Sequence, residues 1–442
     1  MKIIFLYTFS ILSAVLPFYS LKNDASAVLI QENKVRFESW LHKNHKQGIF
    51  PSLAVAVVNS RGISYSYYIN SDPHKKYGLA SITKTFTATA LMLQKERHNF
   101  SMDTQVVSIF PGLTIERKEL NSEPVTIRHL LTHTSGMPDL RFYKDRNFLP
   151  VPGNNPEIKI PLQIYPAGKH YRYSNHGFIV IGKIIEKFSR QPLHQFMFQN
   201  IFNPLGMTDT VYNEYYTGAY GLNSSLRDMS RYAQFLIHDG YIPQTGIRVM
   251  KKETMLSMRE FQWENQNSIC HEYCGLGWRA VRIGDSVLTY YHIGGNTKIG
   301  AWIQIFPFHK MAVIYLSDPP LYNNRTMDFL FQLQSELAYM VGLESGFFFN
   351  IQTVSYPVIP GAQYQKYTGT YYNLLNRKKI VVYLKEGQMY INDNERRDYM
   401  LFPRSRYIFQ GGYEFLTHQF IPSPEGTGIA SMARFDGYYT KK

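Results

Sequence analysis

The chain has 442 residues, 44% hydrophobic and 18% charged, with Gly 30 and Pro 22, a composition that excludes disordered and collagen-like chains. Lys and Arg number 47 against 33 Asp and Glu, a net charge of +14 that favours anionic neighbours such as phospholipid or acidic polymers. The sequence holds no run of five or more Lys/Arg and no zinc-finger or nucleotide-fold signature, so nucleic acid is not expected as a partner.

At the start, Lys2 precedes an uncharged stretch from Ile3 to Ser20, and Ala25-Ser26-Ala27 offers a small-residue cleavage site. Residues 1–27 therefore read as a secretory signal, and the protein as secreted or periplasmic. Left uncleaved, the same stretch would be a membrane anchor, and membrane contact is expected through that segment alone. In an oxidising compartment, Cys270 and Cys274 of the run CHEYC leave a local disulfide and two thiols both open. A metal site built on Cys270, His271 and Cys274 lacks a second ligand pair, so no metal and no cofactor is expected.

In chain order, a polar helix from Gln31 to His45 leads into two strands, Leu53 to Val58 and Ile63 to Ile69, turning at Asn59 to Gly62. ASITKTFTATALMLQKE reads as a buried helix despite its alternating Thr residues. TIRHLLTHTSG reads as a helix capped at Gly136, and SRYAQFLIHDG as one starting at Ser230 and stopping at Gly240. AWIQIF and MAVIYL form a second hairpin across Pro307 to Lys310, and RTMDFLFQLQSELAYMV is a helix after it. Strands at both ends with helices between and after describe one α+β domain, residues 28–346, whose antiparallel sheet is completed by distant parts of the chain. Residues 347–363, with Pro357 and Pro360, form the linker. The short alternating runs of residues 364–442 form a small, separate all-β domain.

The chain has no G-x-S-x-G elbow, Walker loop, G-x-G-x-x-G or H-E-x-x-H motif. His129 and His133 share the four-residue step of a zinc pair, but Leu130 stands where a metalloprotease needs Glu, so both read as packing or capping histidines. What remains is Ser81-Ile82-Thr83-Lys84 at the head of the buried helix. A three-residue step stacks Lys84 over Ser81, where an amine held partly neutral takes the hydroxyl proton. The backbone N–H of Ser81 would then be one oxyanion donor. Standing alone the tetrapeptide is weak, because most such sequences are ordinary helix surface.

Two further pieces follow: Tyr173-Ser174-Asn175, and His292-Ile293-Gly294 just before AWIQIF. Together with HLLTHTSGMPDL, PAGKHYRYSNHG, NPLGMTDT and GLNSSLRDM, they resemble in order and spacing the serine beta-lactamase-related family. That family holds class C beta-lactamases, D-alanyl-D-alanine carboxypeptidases, D-aminopeptidases and related esterases. The resemblance runs from Phe37 to Leu343. It implies a beta-lactamase/transpeptidase-like antiparallel sheet flanked by helices, with a mostly helical subdomain. The closing β domain resembles the lipocalin-like module that often follows.

The same resemblance implies Ser81 as the acylated nucleophile, Lys84 as its base and Tyr173 as the proton shuttle to the leaving nitrogen. Asn175 would bind the substrate's amide side chain, His292 and Gly294 would line the cleft, and Gly295 N–H would be the second oxyanion donor. Where class C beta-lactamases usually carry Lys-Thr-Gly this chain has His-Ile-Gly, and a histidine charged part of the time near neutral pH is a weaker carboxylate anchor than lysine. Lys298, four residues after Gly294, would either restore positive charge at the rim or be solvated. The resemblance and the expected compartment imply a serine hydrolase acting on D-amino-acid peptides such as peptidoglycan stems. An esterase or weak beta-lactamase, or a non-hydrolytic penicillin-binding protein, are the alternatives.

Overall fold

The computed structural model describes residues 23–441 except 112–114, 118–122, 138–159, 164–165, 170, 214–216, 261, 265–270, 284–285, 297, 319–323, 346–360, 374–378, 386–387, 393–398, 404–407, 411–416, 423–428 and 435–436. The first 22 residues of the expected signal, most of the expected linker, and Cys270 lie outside the described residues. Among the described residues no helix is long and apolar enough to cross a membrane.

Helix α1, Asn23–Lys46, precedes the hairpin β1, Leu53–Asn59, and β2, Gly62–Ile69. After a 3-10 turn at Ala80–Ile82 come α2, Thr83–His98, α3, Ile127–Leu131, α4, Asn175–Ser189, and α5, Leu226–Ile237. Strands β3, Trp263–Glu264, β4, His271–Cys274, β5, Arg279–Ile283, β6, Ser286–Asn296, β7, Ile299–Phe306, and β8, Met311–Ser317, then lead to α6, Asn324–Ser345. The eight strands form one antiparallel sheet in the order β3-β4-β5-β6-β7-β8-β1-β2, so the hairpin β1–β2 closes onto β8 from the far end of the domain.

The apolar run of β1 is continuous because both faces of the sheet are covered. Ala54, Ala56 and Val58 enter the core under α2, α4 and α5; Leu53, Val55 and Val57 enter a second core under α1 and α6. In that second core Phe329 stacks on Trp40 at 5.0 Å and on Phe50 at 4.9 Å, and Arg36 pairs with Glu336 across the two helices. Helix α2 is buried from Thr83 to Gln94. Its interleaved threonines are tolerated there because their hydroxyls are bonded: Thr85 donates to Ile82 O at 2.9 Å, Thr87 to Gly218 O at 2.7 Å and Thr89 to Thr85 O at 2.9 Å.

Helix α1 starts at Asn23, eight residues before the expected Gln31 and inside the segment expected as a signal, and two further helix boundaries differ from the sequence expectation. Helix α3 stops at Leu131, well before Gly136, because His133 itself takes the left-handed conformation, φ +58°, and turns the chain. Helix α5 starts after Ser225, whose side chain accepts from Asp228 N, while Ser230 lies inside and donates to Leu226 O at 2.8 Å.

Residues Gly369–Asn373, Lys379–Lys385, Gln388–Asn392, Tyr399–Pro403, Ile408–Gln410, Thr417–Pro422, Ile429–Arg434 and Gly437–Lys441 form the strands β9 to β16 of a closed barrel. Closure removes exposed strand edges, and alternate residues such as Ile380, Val382, Met389 and Ile391 fill the interior. The Tyr371 hydroxyl, whose pKa is raised by burial, is satisfied by donating to Tyr367 O at 2.7 Å.

Candidate active site

Ser81 sits in the 3-10 turn that feeds α2, half-buried, one residue after Ala80 at φ +44°. A non-glycine residue in that region is strained by about 1 to 2 kcal/mol, so the surroundings must impose it. They do so through Leu79 N–H donating to Leu222 O at 2.8 Å and Ile82 N–H to Leu79 O at 3.0 Å. Strand β6 presses on the same turn. A Cβ on Gly294 would stand 2.1 Å from Leu79 O, so the strand reaches this close only because residue 294 has no side chain.

One helical step on, Lys84 is 0% exposed. Its Nζ donates to Ser81 Oγ at 3.1 Å, to Asn175 Oδ1 at 2.7 Å and to Ala219 O at 2.8 Å. Three acceptors saturate an ammonium. When the amine is neutral, Asn175 and Ala219 hold its two protons and its lone pair is left facing Ser81 Oγ, the geometry for receiving the hydroxyl proton. The Tyr173 ring lies 5.0 Å from Nζ and the Phe178 ring 5.8 Å away. Asn175 is delivered by the N-terminus of α4, where Ser174 caps by accepting from Gly177 N–H at 3.3 Å. Gly218 lets the chain carrying Ala219 pass against α4, for a Cβ there would meet Phe178 O at 2.1 Å.

The structure thus brings Ser81, Lys84, Tyr173 and Asn175 into one cluster and lays the strand His292–Gly295 beside it. Lys298 is exposed, and its backbone N–H donates to Asn296 Oδ1 at 2.8 Å. Two members of the site carried no signal by residue type. Ala219 acts through a backbone carbonyl. His133, read as a packing or capping residue, has its ring 4.3 Å from that of Tyr173 and 5.2 Å from that of Phe178. His129 accepts Thr126 N–H on Nδ1 at 3.2 Å in a capping box.

His292 departs from the expectation of a ring that titrates near neutral pH. Burial, followed by the nearby Lys84 charge, pushes its pKa down to about 3. Its Nδ1 lies 2.9 Å from Ile293 O; a carbonyl accepts, so Nδ1 carries the proton and Nε2 is an acceptor. A neutral ring of that tautomer is no cationic anchor for a carboxylate. His133 is likewise held well below the ordinary histidine range by burial, then by Lys84, His292 and Arg279.

These shifts carry a stability consequence. With folded pKa values below the unfolded 6.5, the unfolded chain takes up protons first, so the contribution is complete above about pH 6.5 and lost as pH falls toward the folded values. Each histidine should cost up to about 1.4 kcal/mol per pH unit below about 6.5. Thermal unfolding of wild type and His292→Gln between pH 7.5 and 5 should show a shallower acid loss in the variant. Equal slopes would mean that His292 is not buried neutral.

The description "Beta-lactamase" names the family whose model matches residues 37–324. The chain is 25% identical over 289 residues to penicillin-binding protein 4* of Bacillus subtilis (strain 168), covering 55% of this chain and 60% of that protein. It is 30% identical over 170 residues to a protein of Escherichia coli (strain K12) named as a D-alanyl-D-alanine carboxypeptidase, covering 34% and 39%. The chain thus spans less than two thirds of the length of either relative.

Among solved structures, the octameric penicillin-binding protein homologue from Pyrococcus abyssi superposes with a TM-score of 0.58 at 20% identity, over 92% of this chain and all of that one. SurE with D-Leu superposes with a TM-score of 0.66 at 17% identity, over 95% and 99%. At these identities the likeness is one of fold. With the family model matched over most of the chain, around a Ser81–Lys84–Asn175 cluster beside strand β6 of the antiparallel sheet, the protein belongs to the Beta-lactamase family and has the serine beta-lactamase/transpeptidase fold.

Proposed function

We propose that the protein is a serine hydrolase that works through an acyl-enzyme on Ser81 and cleaves D-amino-acid peptides in the manner of a D-alanyl-D-alanine carboxypeptidase. The observation that carries this reading is the Lys84 amine, 3.1 Å from Ser81 Oγ with its other protons held by Asn175 and Ala219. Lys84 takes the Ser81 proton as Oγ attacks the scissile carbonyl, and the N–H groups of Ser81 and Gly295 receive the oxyanion. Tyr173 hands a proton to the departing amine and regains one from the Lys84 ammonium, and Asn175 orients the substrate's amide. Water then releases the acyl group. A secreted or periplasmic location, proposed from the composition of residues 1–27, would bring the enzyme to peptidoglycan stems.

One observation favours a second reading. The neutral His292 offers no charge to a terminal carboxylate, which suits an ester or blocked amide at least as well as a free D-alanine end. Turnover of a D-Ala-D-Ala peptide, a nitrophenyl ester and a chromogenic cephalosporin, in wild type and Ser81→Ala, separates the readings. The proposal expects many equivalents of D-alanine from wild type and none from Ser81→Ala. Ester turnover without peptide turnover would establish the esterase, and a single equivalent of any product would establish a non-hydrolytic binder.

A further inference from the structure

We infer that His133 is a positioning residue, whose Nδ1 accepts the Ser174 N–H and thereby fixes the Tyr173 ring on one side and the Asn175 amide on the other. The inference rests on the acyl-enzyme reading of Ser81. His133 turns the chain after α3 in the left-handed conformation, φ +58°, and from there makes two contacts with one segment. Its carbonyl accepts Arg172 N–H at 2.6 Å, and its ring Nδ1 accepts Ser174 N–H at 3.1 Å. Tyr173 lies between the two donors, with its ring 4.3 Å from the imidazole and tilted 31°.

The consequences run one residue further. Ser174 is the N-cap of α4, and Asn175, the first residue of that helix, holds Lys84 Nζ at 2.7 Å. Letting the Ser174 N–H swing would move the cap, the Asn175 amide and the Tyr173 ring together. Nδ1 can accept only when unprotonated, so the working ring is the neutral Nε2–H tautomer. The depressed pKa of this buried ring keeps it in that form.

Backbone conformation and side-chain acceptor can be separated by substitution. Gly and Asn both tolerate φ +58°, but only Asn retains an acceptor at the distance of Nδ1 from the main chain. Labelling of Ser81 by a fluorophosphonate and hydrolysis of a nitrophenyl ester are measured in wild type, His133→Asn and His133→Gly, with thermal midpoints for each. His133→Asn should label within about threefold of wild type, and His133→Gly at least about tenfold more slowly, with the loss in kcat and not KM, as for a misplaced catalytic group.

Equal rates for Gly and wild type, or equally slow Asn and Gly, would overturn the assignment. Should His133→Gly not fold, imidazole nitrogen NMR of wild type decides: the inference needs an unprotonated Nδ1 on His133, and a protonated one removes it. Failure of wild type itself to be labelled would instead sink the acyl-enzyme reading, and this inference with it.

Discussion

Replacing Lys84 by Met should slow acylation of Ser81 by a fluorophosphonate at least about a hundredfold, the lower range for losing a positioned base. Met nearly conserves the volume of a side chain that is fully buried, so the packing between α2, α4 and the Gly218-Ala219 segment survives. Truncation to Ala would instead open a cavity as well. Either change leaves Asn175 Oδ1 and Ala219 O without the amine, a cost of about 1 to 3 kcal/mol for each acceptor left dry. The thermal midpoint should therefore fall in both variants, and further in Lys84→Ala. Kinetics and stability are measured on the same samples. A labelling rate within about threefold of wild type would move the proton transfer elsewhere, with Tyr173 the next candidate because its ring lies 5.0 Å from Nζ.

How much of this site could be read from the sequence depends on how local each contact is. Ser81 and Lys84 are three residues apart, and helix geometry predicts their contact without any knowledge of the fold. Asn175 and Lys84 meet across 91 residues, and nothing in residue type or spacing alone announces that pair; its motif was informative through resemblance. Ala219 contributes a carbonyl that every residue possesses, so its part depends on Gly218 allowing the chain to pass between two helices. The ionisation of His292 required its burial to be known, which a strand sequence of mixed polarity, SVLTYYHIGGN, does not show.

The same distinction runs through the fold. The hairpin β1–β2 and the pair β7–β8 were legible because they are short apolar runs bounded by turn residues. Strands β3 to β5 and the long helix α4 were not read, and β6 was reached only through the resemblance around His292 to Gly294. Two glycines and a histidine interrupt β6, and α4 starts inside a Tyr-Ser-Asn turn with glycines at 177 and 182, where close packing against Leu130 and Gly218 overrides weak helix propensity.

Gly294→Ala should be strongly damaging although it leaves every candidate catalytic side chain in place. Its Cβ would stand 2.1 Å from Leu79 O, 3.0 Å from Leu79 C and 3.3 Å from Ala301 Cβ. The obstacle is backbone, so no rotamer relieves it, and β6 must retreat by about 1.3 Å to bring this approach to ordinary van der Waals contact. Such overpacking costs about 1 to 3 kcal/mol in stability.

The retreat also separates two backbones that must act together. Gly295 lies on β6, paired with Gly300 of β7, while Ser81 lies two residues beyond Leu79 on the turn. If their N–H groups are the two oxyanion donors, a displacement of about 1 Å costs about a hundredfold in acylation, comparable with deleting one donor. The loss should fall on kcat, because binding of the ground-state ester does not require the hole to be formed. Far-UV circular dichroism should remain that of wild type. Unchanged acylation in a folded Gly294→Ala protein would show that the approach of β6 to the Ser81 turn does not set the reaction geometry, and the second donor would then have to be sought outside the strand His292–Gly295.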